Sequence, residues 1–135
     1  ANSEMSAVSL YLYNALVTEC AYEEVSNCFY HINMVEMHHL KLYGELALRL
    51  GADPRLWSWQ NRQRVYWTPG YNQYPREIKA LLTNAITGEK AAIRKYQCQA
   101  DSIEDPHIAA ILKRIILDEE LHVEIFTGLY EKYAG

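Results

Sequence analysis

Glu36 and His39 stand three apart in MVEMHHLKLY, and Glu119 and His122 stand three apart in LDEELHVEIF. Residues three apart share one face of an α-helix, so each Glu-x-x-His pair presents a carboxylate and an imidazole together. His38 is turned about 100° from His39 and falls off that face. Each pair interrupts an apolar stripe, one running from Ile32 to Tyr43 and the other from Ile115 to Phe126. A carboxylate on a core-facing stripe needs a strong partner, because burying an isolated charge is prohibitively costly. Asp118 and Glu120 flank the second stripe and read as solvated.

Two more carboxylates sit on apolar stripes. Glu4 precedes Tyr11 by seven residues and Glu89 precedes Tyr96 by seven, two helical turns along one face. Each half of the chain therefore reads Glu, Tyr seven on, then Glu-x-x-His, with 32 residues from Glu4 to Glu36 and 30 from Glu89 to Glu119. This is an internal repeat. Four carboxylates and two imidazoles gathered in one core repel one another unless cations lie between them. Two divalent ions resolve the conflict, with each Glu-x-x-His holding one ion and two of the carboxylates bridging. Hard oxygen donors with one imidazole per ion suit iron or manganese.

Four helical blocks are available to position these residues. Val8, Tyr11, Ala15 and Thr18 mark the first, which breaks around residues 20–22. Val25, Phe29, Ile32, Tyr43, Leu46 and Leu50 mark a long second block that Gly51 and Pro54 close. Ile78, Leu82, Ala85, Ile93 and Tyr96 mark the third, fading near Asp101. The fourth opens at Pro106 and carries Ile108, Leu112, Ile115, Val123 and Phe126. Short connections join one to two and three to four. RLWSWQNRQRVYWTPGYNQYP joins two to three, and its aromatic residues and Pro69-Gly70 turn signal predict an ordered crossover without strands. The expected fold is all-α: an antiparallel four-helix bundle, one domain over residues 1–135, with a long crossover between helices 2 and 3. With Glu4 level with Glu36 and His39, the first helix has three residues to cover Leu40, Tyr43, Leu46 and Leu50. Upstream sequence, another segment or a second chain is expected to cover them.

Composition narrows the function classes. Half of the 135 residues are hydrophobic and 22% are charged, which excludes disorder, and no apolar run approaches the ~20 residues of a membrane span. A net charge of -4 without a basic stripe argues against nucleic acid. Cys20, Cys28 and Cys98 form no CxxC pair and lie in helical patterns, so a reducing cytoplasm is expected. His31 and His107 lack a second ligand at helical spacing. Met5, Met34 and Met37 are expected to fill the core, Glu19, Glu23 and Glu24 to form a solvated face, and the crossover tryptophans to pack on the bundle.

SEMSAVSLYLY, NMVEMHHLKLY, GEKAAIRKY and DEELHVEIF together resemble the four metal-binding helices of rubrerythrin-type, ferritin-like di-iron proteins. The resemblance implies Glu4, Glu36, His39, Glu89, Glu119 and His122 as ligands of two iron ions, with manganese as the alternative. It also implies Tyr11 and Tyr96 as hydrogen-bond donors to those ligands. Rubrerythrins usually add a rubredoxin domain with two CxxC pairs, which nothing in these residues matches, so an external electron donor is expected. They also tend to carry a glutamate one turn beyond the third-helix ligand, where this chain has Ala92 and Ile93. The symmetric six-ligand set is also similar to that of bacterioferritins, and manganese catalases share the bundle.

Two functions compete on these grounds. One is an oxidoreductase of peroxidase, ferroxidase or catalase type acting on oxygen or hydrogen peroxide. The other is an iron-handling or storage protein. A structural bundle with stabilising metals is a third option. The expected assembly is a homo-oligomer, specifically a dimer.

Overall fold

The computed structural model describes residues 2–135. It falls into two compact units, Ala1–Tyr74 and Pro75–Gly135. The first unit is built on a helical hairpin of α1 (Asn2–Thr18) and α2 (Glu23–Arg49). Hydroxyl groups close the bend between them: Thr18 Oγ1 donates to the Asn14 carbonyl at 2.7 Å, and Ser26 Oγ donates to the Ala15 carbonyl at 2.7 Å. The buried positions of α2 are Val25, Phe29, Ile32, Glu36, His39 and Leu46, a helical stripe that includes the two polar residues.

Gly51 ends α2 with a left-handed backbone, φ 79°. Its N–H donates to the Leu48 carbonyl at 3.0 Å and the next N–H, from Ala52, reaches the Ala47 carbonyl at 2.8 Å. This is the Schellman arrangement, which satisfies carbonyls that the last turn leaves open.

The crossover holds a β-hairpin that the sequence pattern does not predict. β1 (Trp57–Gln60) pairs antiparallel with β2 (Gln63–Tyr66), with Trp57 opposite Tyr66 and Trp59 opposite Arg64. The two turn residues, Asn61 and Arg62, both take positive φ, 50° and 63°, the mirror-image turn that suits the twist of a two-residue hairpin. Beyond β2 the chain is tied to α1. The Trp67 indole N–H donates to Ser6 Oγ at 2.8 Å, Asn72 Nδ2 donates to Ser9 Oγ at 2.9 Å, and Tyr74 meets Tyr13 edge-on at 5.0 Å.

The second unit is the hairpin of α3 (Ile78–Ser102) and α4 (Pro106–Tyr133). Both helices start on an acidic cap. Glu77 accepts from the Lys79 and Ala80 N–H groups at 3.0 and 2.9 Å, and Asp105 Oδ1 accepts from His107 N–H at 2.8 Å with Pro106 in the first turn. Leu81, Leu82, Ala85 and Tyr96 of α3 and Leu112, Ile115, Phe126 and Leu129 of α4 are buried.

Burial corrects three expectations, the first being that all the crossover tryptophans pack on the bundle, since Trp59 is 70% exposed. Met34 and Met37 are exposed, at 50% and 56%, because neither shares the stripe of Ile32, Glu36 and His39. Leu46 is covered, but Leu50 is 70% exposed, since it caps α2 and lies beyond its last turn. His31 and His107 are exposed, as are Glu19, Glu23 and Glu24. Among the described residues no helix is long and apolar enough to cross a membrane.

Candidate metal centre

Each helical hairpin gathers one set of side chains that could hold a metal ion. In the first, Glu4 comes from α1, and Glu36 and His39 come from neighbouring turns of α2. His39 Nδ1 lies 3.5 Å from Glu36 Oε2 and 3.7 Å from Glu4 Oε2. In the second, Glu89 comes from α3, and Glu119 and His122 come from α4. His122 Nδ1 lies 3.5 Å from Glu89 Oε1. Within each triplet one ligand atom per residue lies within 4.8 Å of the others. All six residues are at most 3% exposed, and His38, one residue from His39, is exposed.

These distances suit a shared cation better than direct pairing. A charge-assisted N–H to carboxylate bond is about 2.7–2.9 Å long. Two ligands at about 2.1 Å from one ion stand roughly 3 Å apart, so separations of 3.5 to 3.7 Å need only a small contraction onto a metal. Electrostatics point the same way. Each triplet puts two carboxylates against one imidazole away from water, and buried charge of that density calls for a cation. The residues present thus fit a pair of divalent ions, one for each Glu-x-x-His.

Tyr11 and Tyr96 are also buried, at 3% and 1%. The Tyr11 ring packs against Phe29 at 5.2 Å. Asn14 and Asn33 join them inside, unforeseen from the sequence. Spacing does carry the signal: Asn14 follows Tyr11 by three, and Asn33 precedes Glu36 by three, so both lie on the faces that bear the buried cluster.

No curated protein matches this chain in sequence. Among solved structures, a dodecameric thioferritin, the bacterioferritin-related protein of Bacteroides fragilis, is similar to it. Its TM-score is 0.75 at 21% identity, and the match covers 99% of this chain and 85% of that one. The fold is therefore the ferritin-like four-helix bundle expected from the sequence. The expected dimer is corrected by this likeness, since the neighbour is a dodecamer and points to a larger assembly. Exposed apolar side chains stand on three helices, as Leu12 and Leu16 of α1, Tyr30, Met34 and Met37 of α2, and Leu117 and Leu121 of α4. Apolar periodicity reveals such residues without the symmetry that would cover them. The rubrerythrin family model matches residues 1–130, and with a buried carboxylate and histidine triplet in each helical hairpin the chain belongs to the rubrerythrin family.

Proposed function

We propose that the protein is a dinuclear metal oxidoreductase in which Glu4, Glu36, His39, Glu89, Glu119 and His122 hold two iron ions, with manganese as the alternative, and that it reacts with oxygen or hydrogen peroxide. The observation that carries this reading is the repeated triplet, two carboxylates and one imidazole, buried in each hairpin at 3.5 to 3.7 Å. When bound, the ion pair supplies a redox couple between the +2 and +3 states that can deliver electrons to an oxidant. The protein's part is to hold the ions, to exclude water from the polar cluster and to orient the carboxylates. Tyr11 and Tyr96 serve that last task through their hydroxyl groups, each seven residues from a ligand glutamate.

Ala92 and Ile93 bear on the choice of oxidant. They leave no spare carboxylate one turn beyond Glu89, so ligand identity should change little between oxidation states. Oxygen-driven oxidation of ferrous iron is then favoured over peroxide reduction, and the electrons come from an external donor. Stopped-flow oxidation of the di-ferrous protein by each oxidant tests this reading in the parent and in Ala92→Glu. A parent that reacts far faster with peroxide, with no change in the variant, overturns the ranking.

The dodecameric neighbour supports a second reading, iron storage inside an assembly larger than a dimer. Iron retained well beyond two ions per chain after aerobic loading favours storage. Saturation at two favours the enzyme.

A further inference from the structure

The crossover clips onto α1 on the face turned away from Glu4. Ser6, Ser9 and Tyr13 are spaced by three and four and so share one side of the helix. At 100° per residue they stand about 140–200° around α1 from Glu4, whereas the buried Tyr11, Ala15 and Thr18 stand within about 40° of it. The crossover engages all three. The Trp67 indole N–H donates to Ser6 Oγ at 2.8 Å, Asn72 Nδ2 donates to Ser9 Oγ at 2.9 Å and to the Ser6 carbonyl at 3.3 Å, and the Tyr74 ring meets Tyr13 edge-on at 5.0 Å. The clip is itself braced. The Trp67 backbone N–H donates to the Leu56 carbonyl at 2.7 Å, Pro69–Tyr71 form a single 3-10 turn, and the Tyr74 hydroxyl donates to the Pro69 carbonyl at 2.8 Å.

The internal repeat supplies a comparison within the chain. Counting from Glu89 as from Glu4, the positions of Ser6, Ser9 and Tyr13 fall on Ala91, Arg94 and Cys98 of α3. Those three are exposed, whereas Ser6, Ser9 and Tyr13 are half-buried. The clip therefore belongs to the first hairpin alone.

What it can do follows from the geometry of a helix. Side-chain tips lie about 5–6 Å from a helix axis, so a roll of about 20° swings a carboxylate by about 2 Å. A metal site tolerates about 0.2 Å in each ligand distance. The apolar stripe that α1 lays on α2 attracts without direction and resists a small roll weakly. Hydrogen bonds are directional, and those from Trp67 and Asn72 grip the far side of the turns that carry Glu4.

We propose that Trp67 and Asn72 are positioning residues for Glu4: they fix the roll of α1 and so set how tightly the ion of the first hairpin is held, without acting on the ion of the second. The proposal rests on the reading that each Glu-x-x-His holds one ion. A ligand aimed before the ion arrives loses little freedom when it binds, which is how such a clip raises affinity.

Zinc chloride is the probe, because zinc takes carboxylate and imidazole ligands without redox chemistry. Metal-free protein carrying nitrogen-15 histidine is titrated with zinc at buffered free concentrations, and the His39 and His122 imidazole signals, assigned with His39→Gln and His122→Gln, report the two hairpins separately. In Trp67→Phe with Asn72→Ala, the His39 midpoint should move to about tenfold higher free zinc, with the His122 midpoint and the circular dichroism unchanged. Ser6→Ala removes only the acceptor of the Trp67 bond and puts a strong helix former in its place, so it folds even where the double variant does not, and it should move the His39 midpoint the same way by less. Midpoints that stay at parental values in Ser6→Ala and in a folded double variant overturn the proposal. Equal displacement of both midpoints overturns it too, since that is the mark of general loosening. A parent in which zinc moves neither histidine overturns the metal-centre reading itself.

Discussion

The two helical hairpins share their chemistry and differ in how they end. Each buries a Glu, a Tyr seven residues on, and a Glu-x-x-His. Yet α3 and α4 begin on the acidic caps Glu77 and Asp105, whereas α2 begins at Tyr22 with no capping side-chain bond and ends on the Gly51 motif. The contrast shows what constrains each part. A metal accepts few donor types at few distances, so the interior has one solution and it appears twice. Backbone groups at a helix end accept any partner that satisfies them, so the ends diverge.

The largest effect expected from breaking the shared part is loss of metal. Glu36→Ala and Glu119→Ala remove corresponding carboxylates from the two hairpins. If both triplets serve one dinuclear centre, either change should release both ions, leaving near-zero occupancy by elemental analysis of protein purified without added metal. Full occupancy in Glu119→Ala would sink the assignment. Loss of only one ion would show that the hairpins bind independently.

A step down in magnitude, the aromatic residues nearest the site test whether the hairpins are equal in packing. Phe29 and Phe126 are both fully buried, each seven residues from a buried glutamate of its own helix, Glu36 or Glu119. Phe29→Ala and Phe126→Ala should each cost about 3–5 kcal/mol in denaturant unfolding of metal-free protein. Phe29 also contacts the Tyr11 ring at 5.2 Å, which places its loss toward the upper part of that range. A clearly smaller loss at Phe29 would mean that its surroundings collapse to fill the space.

How much of this was legible in the sequence follows the same division. The stripe of Val25, Phe29, Ile32, Glu36, His39 and Leu46 could be read because burial and the 3.6-residue period act together. The β-hairpin could not. WSWQ and QRVY do alternate, but the usual sign of a two-residue turn is a glycine, and Arg62 stands there. Residue type suggests core positions for Met34 and Met37, whereas their spacing sets them off the stripe and they are exposed. The number of copies in the assembly was illegible in principle, since exposed apolar residues carry no symmetry.

Smaller effects are expected at the helix ends. Asp105 Oδ1 accepts from the His107 and Ile108 N–H groups at 2.8 and 3.4 Å. Asp105→Ala should cost about 1 kcal/mol, read as a shift in the denaturation midpoint with unchanged slope. No equivalent bond exists to lose at the start of α2.

The smallest expected effect is a pH dependence at Glu77. Its exposed carboxylate accepts the Ala80 and Lys79 N–H groups at 2.9 and 3.0 Å, and those bonds hold its pKa below the ordinary 4.5. A carboxyl group whose pKa is lowered by folding stabilises the folded state at pH values above its unfolded pKa. That contribution is lost as pH falls through the lower, folded value. Glu77→Gln removes the titration while keeping an acceptor oxygen. The parent should be the more stable of the two at pH 6 to 7, and the gap in thermal midpoint should stay constant down to about pH 4.5 and close below it. Both proteins must be metal-free, so that any loss of metal in acid cannot hide a small difference. A gap that is flat through pH 3 would show that the cap works equally well when protonated, and that the acidic start of α3 contributes by hydrogen bonding alone.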